Sequence, residues 1–342
     1  MTTSLVIQTS FLGDVVLTTP LIAELAKRGS VDVLATPGGA TALANNPGIR
    51  ELIRYDKRAT FGAALHLWRT IQKIRANGPY DAVYLAQGSF RSALLALLTG
   101  AKERVGFATS SGHALYTRRV EYRSDRHHSE RLWWLAMTGC ADPPLPEQLR
   151  VRLYPSDEDR AAVDGILRGA GIPDGDFIAI APGSAWGTKR WPYFAELAAR
   201  LAGDHRIVVV GSRADRASAA EIQQRSAPAP ILDACGKLPI LASAELIGRA
   251  RAIVTNDSAP QHLASAMGTP TLVLYGPTVP EFGFGPLAPV RATAGVTGLR
   301  CRPCDRHGPK RCPLGHWRCM LELSIDEVMK LLDSLLRTPA AA

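Results

Sequence analysis

Four stretches bring together residue types that could do chemistry, and each lies where an apolar run gives way to a helical pattern. The first is Thr9 to Asp14, T-S-F-L-G-D. Gly13 lets a ligand approach the backbone, Ser10 offers a hydroxyl, and Asp14 carries a carboxylate that could act as a general base or merely cap a helix. The second is Pro182 to Pro192, P-G-S-A-W-G-T-K-R-W-P. Ser184, Thr188 and Lys189 precede a helix expected to begin at Trp191-Pro192, and hydroxyls with an ammonium at a helix N-terminus suit a pyrophosphate. Neither G-x-G-x-x-G nor G-x-x-x-x-G-K-[ST] occurs there, so the dinucleotide and NTPase fingerprints do not apply. In the third, Ser212 to Asp215, the Asp215 carboxylate could accept ribose hydroxyls or cap a helix. The fourth runs from Ile253 to Pro277 and reads strand, turn, helix, turn, strand. Asn256, Asp257 and Ser258 are cap formers, Pro260 suits a first turn, and Gly268 stops the helix. A helix N-terminus offers free N–H groups and partial positive charge to a phosphate, and His262 adds a polar group one turn further in.

These turns need a regular scaffold to hold them. Apolar runs at Ser4–Gln8, Val31–Ala35, Glu51–Tyr55, Asp81–Ala86 and Arg104–Phe107 alternate with helical patterns, of which Phe61–Ala76 is the longest. The same alternation returns after residue 155, with strands at Phe177–Ile180, Ile207–Val210, Ile231–Leu232, Ile253–Thr255 and Thr271–Tyr275. Alternation of this kind predicts α/β architecture with parallel, doubly wound sheets. The stretch A-D-P-P-L-P from Ala141 breaks all periodicity and predicts a linker. We therefore expect two Rossmann-like domains, 1–145 and 146–342, with ligands at the carboxyl ends of the strands in a cleft between them.

A chain of 342 residues, 46% hydrophobic and 21% charged, fits two globular domains. No apolar run reaches the ~18 residues of a membrane span, and the N-terminus lacks a basic leader, so a cytoplasmic protein is expected. The net charge of +9 favours acidic partners. It is unevenly spread: residues 1–150 hold 18 Lys and Arg against 12 Asp and Glu, and residues 291–320 hold seven against one. That second segment also carries Cys301, Cys304, Cys312 and Cys319. The spacing C-x2-C-x7-C-x6-C could make a structural zinc site, with His307 and His316 as substitute ligands. Only the first pair has the usual spacing, so a reduced, metal-free cluster is the favoured reading. A nucleic-acid-binding protein would also use basic charge and a cysteine cluster, but the basic stretches lack interleaved aromatics and the four polar turns would go unexplained.

L-G-D-V-V-L-T-T-P-L from Leu12, P-G-S-A-W-G-T-K-R-W-P from Pro182 and T-N-D-S-A-P-Q-H-L-A-x-A-x-G-T-P-T-L-x-L-Y-G-P from Thr255 occur in one order. Together they resemble the ADP-heptose:lipopolysaccharide heptosyltransferases, glycosyltransferase family 9. The tail C-R-P-C…C-P-L-G-H-W-R-C is most like that of the type II members. The resemblance covers nearly the whole chain. It implies a GT-B fold and inverting, metal-independent transfer of heptose from ADP-heptose to the inner-core oligosaccharide of lipopolysaccharide, a lipid A-Kdo-heptose acceptor, with no cofactor for catalysis. It makes Asp14 the base. Thr188 and Lys189 match the diphosphate positions, with Lys189 stabilising the leaving charge, and Asp257, Ser258 and His262 match the donor-site loop and helix. Ala259 departs from the pattern, since relatives often carry Gly there. The acceptor would lie on the anionic inner-membrane surface, with the enzyme held there peripherally and nucleic acid playing no part. Lys57, Arg58, Arg91 and Arg118 are the expected acceptor contacts of the first half. Arg302, Arg306, Lys310, Arg311 and Arg318 are those of the C-terminal segment. The remaining alternative is a GT-B transferase with a different nucleotide sugar.

Overall fold

A computed structural model describes residues 2–56, 63–139 and 142–338; Lys57, Arg58 and Cys140 lie outside the described residues. The chain divides into two compact units, Met1–Tyr154 and Pro155–Ala342. The division falls later than the 145/146 boundary expected from the linker. The reason is local: the Arg152 N–H donates to Thr19 Oγ1 at 3.1 Å and Asn45 Nδ2 to the Tyr154 carbonyl at 3.1 Å, tying residues 146–154 to the first unit.

The first unit holds β1 (Thr2–Gln8), β2 (Gly29–Ala35), β3 (Glu51–Arg54), β4 (Ala82–Leu85), β5 (Glu103–Phe107) and β6 (Arg118–Val120), in the order β3-β2-β1-β4-β5-β6. The second holds β7 (Phe177–Ala181), β8 (Arg206–Val209), β9 (Ile231–Asp233), β10 (Ala252–Asn256), β11 (Thr271–Leu274) and β12 (Arg291–Ala294), in the order β12-β11-β10-β7-β8-β9. Every pairing is parallel. Read from the opposite edge, the second order is the first repeated.

Burial on both faces explains why the central strands read as unbroken apolar runs. Val6 sits between Val33 and Tyr84, and Val254 between Ile180 and Leu272. Leu5, Ile7, Leu34, Ile53, Val83 and Leu85 centre the first core. Ile178, Ile180, Ile207, Val209, Val254 and Leu272 centre the second, closed by Val328, Leu332 and Leu335 of the helix Ile325–Arg337. Those three recur at helical spacing on one face. The outer strands β6 and β12 were not expected. Each is short and opens on arginine, which an edge strand tolerates because one side meets solvent. Among the described residues, no helix is long and apolar enough to cross a membrane.

Candidate active site

In both sheets the strand order reverses at the centre, between β1 and β4 and between β7 and β10. Ligands of open α/β sheets sit beyond the carboxyl ends of strands at such points. In the second unit this places the turn after β7 beside the turn after β10. Asn256, the last residue of β10 and fully buried, braces the two. Its Nδ2 donates to the Pro182 carbonyl at 2.8 Å, and its Oδ1 accepts from the Trp191 N–H at 3.1 Å. The helix expected at Trp191-Pro192 begins instead at Phe194. Trp191 is drawn inward, its indole N–H donating to the Leu323 carbonyl at 3.0 Å. Thr188 and Lys189 therefore lie on a single tight turn, Gly187–Lys189. Ser184 opens the stretch: its hydroxyl accepts from the Trp186 N–H at 3.2 Å, and Arg190 clamps its carbonyl.

At the centre of this site Lys189 Nζ donates to Asp257 Oδ2 at 2.6 Å, with both side chains about nine-tenths buried. The carboxylate also accepts from Thr278 Oγ1 at 2.7 Å and, on Oδ1, from Gln261 Nε2 at 2.7 Å. Tyr275 extends the network by donating to Gln261 Oε1 at 3.4 Å, and burial, then the Asp257 charge, push its phenol well above the usual range. Such an interlocked set fixes one geometry, because each member satisfies the next. The helix Ala259–Met267 follows. Its cap residue Ser258 makes no side-chain cap, and the buried Ser258 Oγ has no hydrogen-bond partner among the described residues. Gly268 ends the helix with φ of 76°, the left-handed conformation glycine adopts without strain. His262 is buried one turn inside. Asp215 lies further along: its Oδ2 accepts from the Ser212 N–H and hydroxyl, each at 2.8 Å, so it caps its own turn.

The first unit is built differently from its expectation. The helix begins at Leu12, inside the expected Thr9–Asp14 turn, which puts the buried Gly13 in its first turn together with Asp14. Asp14 Oδ2 accepts from the Phe11 N–H at 3.3 Å, and His128 Nε2 stands 3.9 Å from Oδ1. Ser10 donates to Gln87 Oε1 at 2.7 Å; Gln87 in turn donates to Thr9 and, at 2.6 Å, to Ser92. Gln87 thus braces the β1 and β4 ends as Asn256 braces those of β7 and β10. Arg91 is exposed at the start of the helix Phe90–Leu98. Arg118 is engaged inside the unit, on the Glu103 carboxylate and on the carbonyls of Met137 and Leu135 at 2.7 and 2.9 Å, so an acceptor would compete with these partners for its guanidinium.

A family model, glycosyltransferase family 9 (heptosyltransferase), matches residues 67–317. The chain belongs to that family. It is 30% identical over 295 residues to lipopolysaccharide heptosyltransferase 1 of Pseudomonas aeruginosa, covering 81% of this chain and 79% of that one. It is 26% identical to lipopolysaccharide heptosyltransferase 2 of Escherichia coli, covering 97% and 98%. The structure of the E. coli ADP-heptose lps heptosyltransferase II superimposes with a TM-score of 0.77 at 25% identity, over 98% of each chain. The two six-stranded parallel sheets flanked by helices are those of a GT-B glycosyltransferase.

In this family 9 enzyme the cysteine-rich segment packs on the Gly187–Lys189 turn. Thr188 donates its hydroxyl to the Pro309 carbonyl, and a side chain at Gly187 would meet the Lys310 carbonyl at 2.7 Å. His307 stacks on Trp186, ring centres 6.5 Å apart. Arg302 is internal: it donates to the carbonyls of Gly276, Val296, Tyr275 and Thr278. Arg318 is paired with Glu322. Of the five basic residues expected to meet the acceptor, Arg302 is thus consumed inside the unit, while Arg318 keeps an exposed side chain. The thiols do not converge on a metal: among the described residues no three of His, Cys, Asp or Glu group as ligands, although Cys301 Sγ lies 3.7 Å from His316 Nε2.

The environments of the thiols differ in a way that labelling can read. Burial, then the neighbouring sulfurs, raise Cys304 and push Cys319 up to about 11. Burial also acts on Cys312, but the backbone N–H groups around Trp317 and Leu314 outweigh it and lower its pKa. The thiolate is the nucleophile. Iodoacetamide at neutral pH should therefore modify Cys312 before Cys304 and Cys319, as peptide mass spectrometry would show; earlier labelling of Cys304 would contradict this order.

Proposed function

We propose that the chain transfers heptose from ADP-heptose to the inner-core oligosaccharide of lipopolysaccharide with inversion at the anomeric carbon. The observation that carries this reading is the buried Lys189–Asp257 pair beside the N-terminus of the helix Ala259–Met267, with the unpartnered Ser258 hydroxyl at its mouth. An ammonium has three donor protons; Asp257 takes one, and the others can serve a diphosphate. Thr188, Ser184 and His262 would complete the donor site, with Asp215 towards the ribose. Asp14 would take the proton of the acceptor hydroxyl as its oxygen attacks the anomeric carbon from the side opposite ADP. The transition state is oxocarbenium-like, as in glycoside hydrolysis. Lys189 and the helix N–H groups would meet the charge growing on the departing diphosphate. Family membership and the activities of the related heptosyltransferases support the choice of sugar and acceptor.

The acceptor is an anionic lipid, so the enzyme would work at the inner-membrane surface from the cytoplasmic side. Arg306, Lys310 and Arg311, with Lys57, Arg58 and Arg91 of the first unit, would supply the attraction, about 1 kcal/mol for each charge near such a surface.

Calorimetric titration with ADP, UDP and GDP tests the donor, and mass spectrometry of an inner-core acceptor incubated with ADP-heptose tests the transfer. ADP should bind and the acceptor should gain one heptose. Lys189→Ala should weaken ADP by about 1.5–3 kcal/mol, the range for hydrogen bonds to charged groups, and AMP by much less. Equal losses for ADP and AMP would remove Lys189 from the β-phosphate, and preference for UDP or GDP would favour another nucleotide sugar.

A further inference from the structure

We propose that His128 is a positioning residue for Asp14, its Nε2 facing Oδ1 of the carboxylate, ready to donate when substrate binds, while the other oxygen is held by the Phe11 N–H. This rests on the reading of Asp14 as the base.

The two residues are fixed independently. Asp14 belongs to the first turn of the helix Leu12–Leu17, and its own carbonyl is gripped by Thr18 Oγ1 at 2.7 Å. His128 opens the helix His128–Trp133, capped by the His127 ring, which accepts from the Ser129 N–H at 3.2 Å. Arg131 of that helix is 1% exposed and anchors it to the preceding segment through the carbonyls of Arg123 and Ser124 and the Tyr122 hydroxyl. The helix packs on Leu12–Leu17, on the helix Thr19–Ala26 and on the turns 134–136 and 146–149. The other charged groups in those neighbours are committed elsewhere. Glu24 pairs with Lys27 and Arg28, Glu147 with Arg150 and Arg152, and Glu130 faces Arg126. Among the described residues, Asp14 is the carboxylate that His128 pairs with, at 3.9 Å.

That distance is an ion-pair separation and longer than a hydrogen bond. Catalytic contacts of this kind often tighten only when substrate is bound. A donor on Oδ1 favours the ionised carboxylate over the protonated one. It also restricts rotation of the carboxylate, so that one lone pair stays directed at the incoming hydroxyl. The proton itself goes only from the acceptor hydroxyl to Asp14.

The test uses the full chain. His128→Leu should lower kcat ~10–100-fold, as loss of a supporting hydrogen bond does at other sites, with both KM values within about twofold. The acidic limb of kcat/KM should move up by about half a pH unit or more, because the carboxylate loses its donor. His128→Gln, which restores an N–H donor, should recover much of the rate. Asp14→Asn/His128→Leu should be no slower than Asp14→Asn alone, since the second change acts through the first. Independently of turnover, the NMR titration of His128 should move down by about half a unit or more in Asp14→Asn, because the imidazolium loses its counter-charge; this readout stands even if His128→Leu fails to fold. An unmoved titration, or His128→Leu within twofold of wild type with an unmoved acidic limb, would overturn the proposal. A fully active Asp14→Asn sinks the base assignment and this inference with it. An inactive Asp14→Asn beside a fully active His128→Leu sinks this inference alone.

Discussion

Replacing Asp14 by Asn should lower kcat by about 10²–10⁴-fold, the usual contribution of general base catalysis. The geometry makes this a clean substitution. The amide oxygen of Asn can still accept from the Phe11 N–H, which Asp14 Oδ2 does at 3.3 Å, so the first turn of the helix Leu12–Leu17 should survive. Thermal unfolding and ADP affinity should match wild type, since Asp14 lies in the first unit and the donor residues in the second. What disappears is the ability to take a proton. Activity within a few-fold of wild type would show that Asp14 only caps its helix and that the base lies elsewhere.

Asp257→Ala should be among the most destabilising single changes in the second unit, by about 3–5 kcal/mol, because it leaves a buried charge without its partner. Lys189, Thr278 and Gln261 would all lose the oxygen to which they donate. ADP binding should fall as well, since nothing would then hold the Lys189 ammonium in place. Lys189→Met costs less in packing but leaves the carboxylate with only neutral donors. The sharp expectation concerns the double variant. Removing both charges should cost less than the sum of the two single changes, as replacing a whole buried pair usually does. Denaturant midpoints of the four proteins give that comparison. Strict additivity would mean that the two charges do not sense one another in solution.

Much of this arrangement is legible in residue order, and the parts that are not have physical causes. Central strands announce themselves because burial on two faces demands continuous apolar runs, as at Leu5–Ile7 and Ile178–Ala181. The edge strands β6 and β12 do not, since Arg118-Arg119-Val120 and Arg291-Ala292-Thr293-Ala294 carry no such run. Lys189, Asp257 and Ser258 could be singled out because ammonium, carboxylate and hydroxyl sit at strand-to-helix turns. The contact between Lys189 and Asp257 could not, because it joins residues 68 positions apart. Asn256 was visible only as a cap former, and the cross-brace it makes replaces that role. Gln261 lay in the expected helix, Tyr275 at the end of the expected strand and Thr278 beyond it; that they complete the Asp257 network is visible only in their hydrogen bonds. His128 lies next to another histidine ahead of a tryptophan pair, which gives no hint that it faces Asp14. Arg118 and Arg302 misled for the converse reason: charge counted along the chain does not distinguish a solvated guanidinium from one consumed by backbone carbonyls.

The matching strand orders bear on how such an enzyme can be rebuilt. Each sheet is stitched at its own reversal point, by Gln87 in one and Asn256 in the other, and every hydrogen bond of either stitch stays inside its own unit. A splice between Tyr154 and Pro155 severs none of them. Recombination at that junction would exchange a whole unit with its wiring intact; if, as proposed, the second unit holds the nucleotide sugar and the first the glycolipid, hybrids of two family members would pair one parent's taste in donors with the other's taste in acceptors.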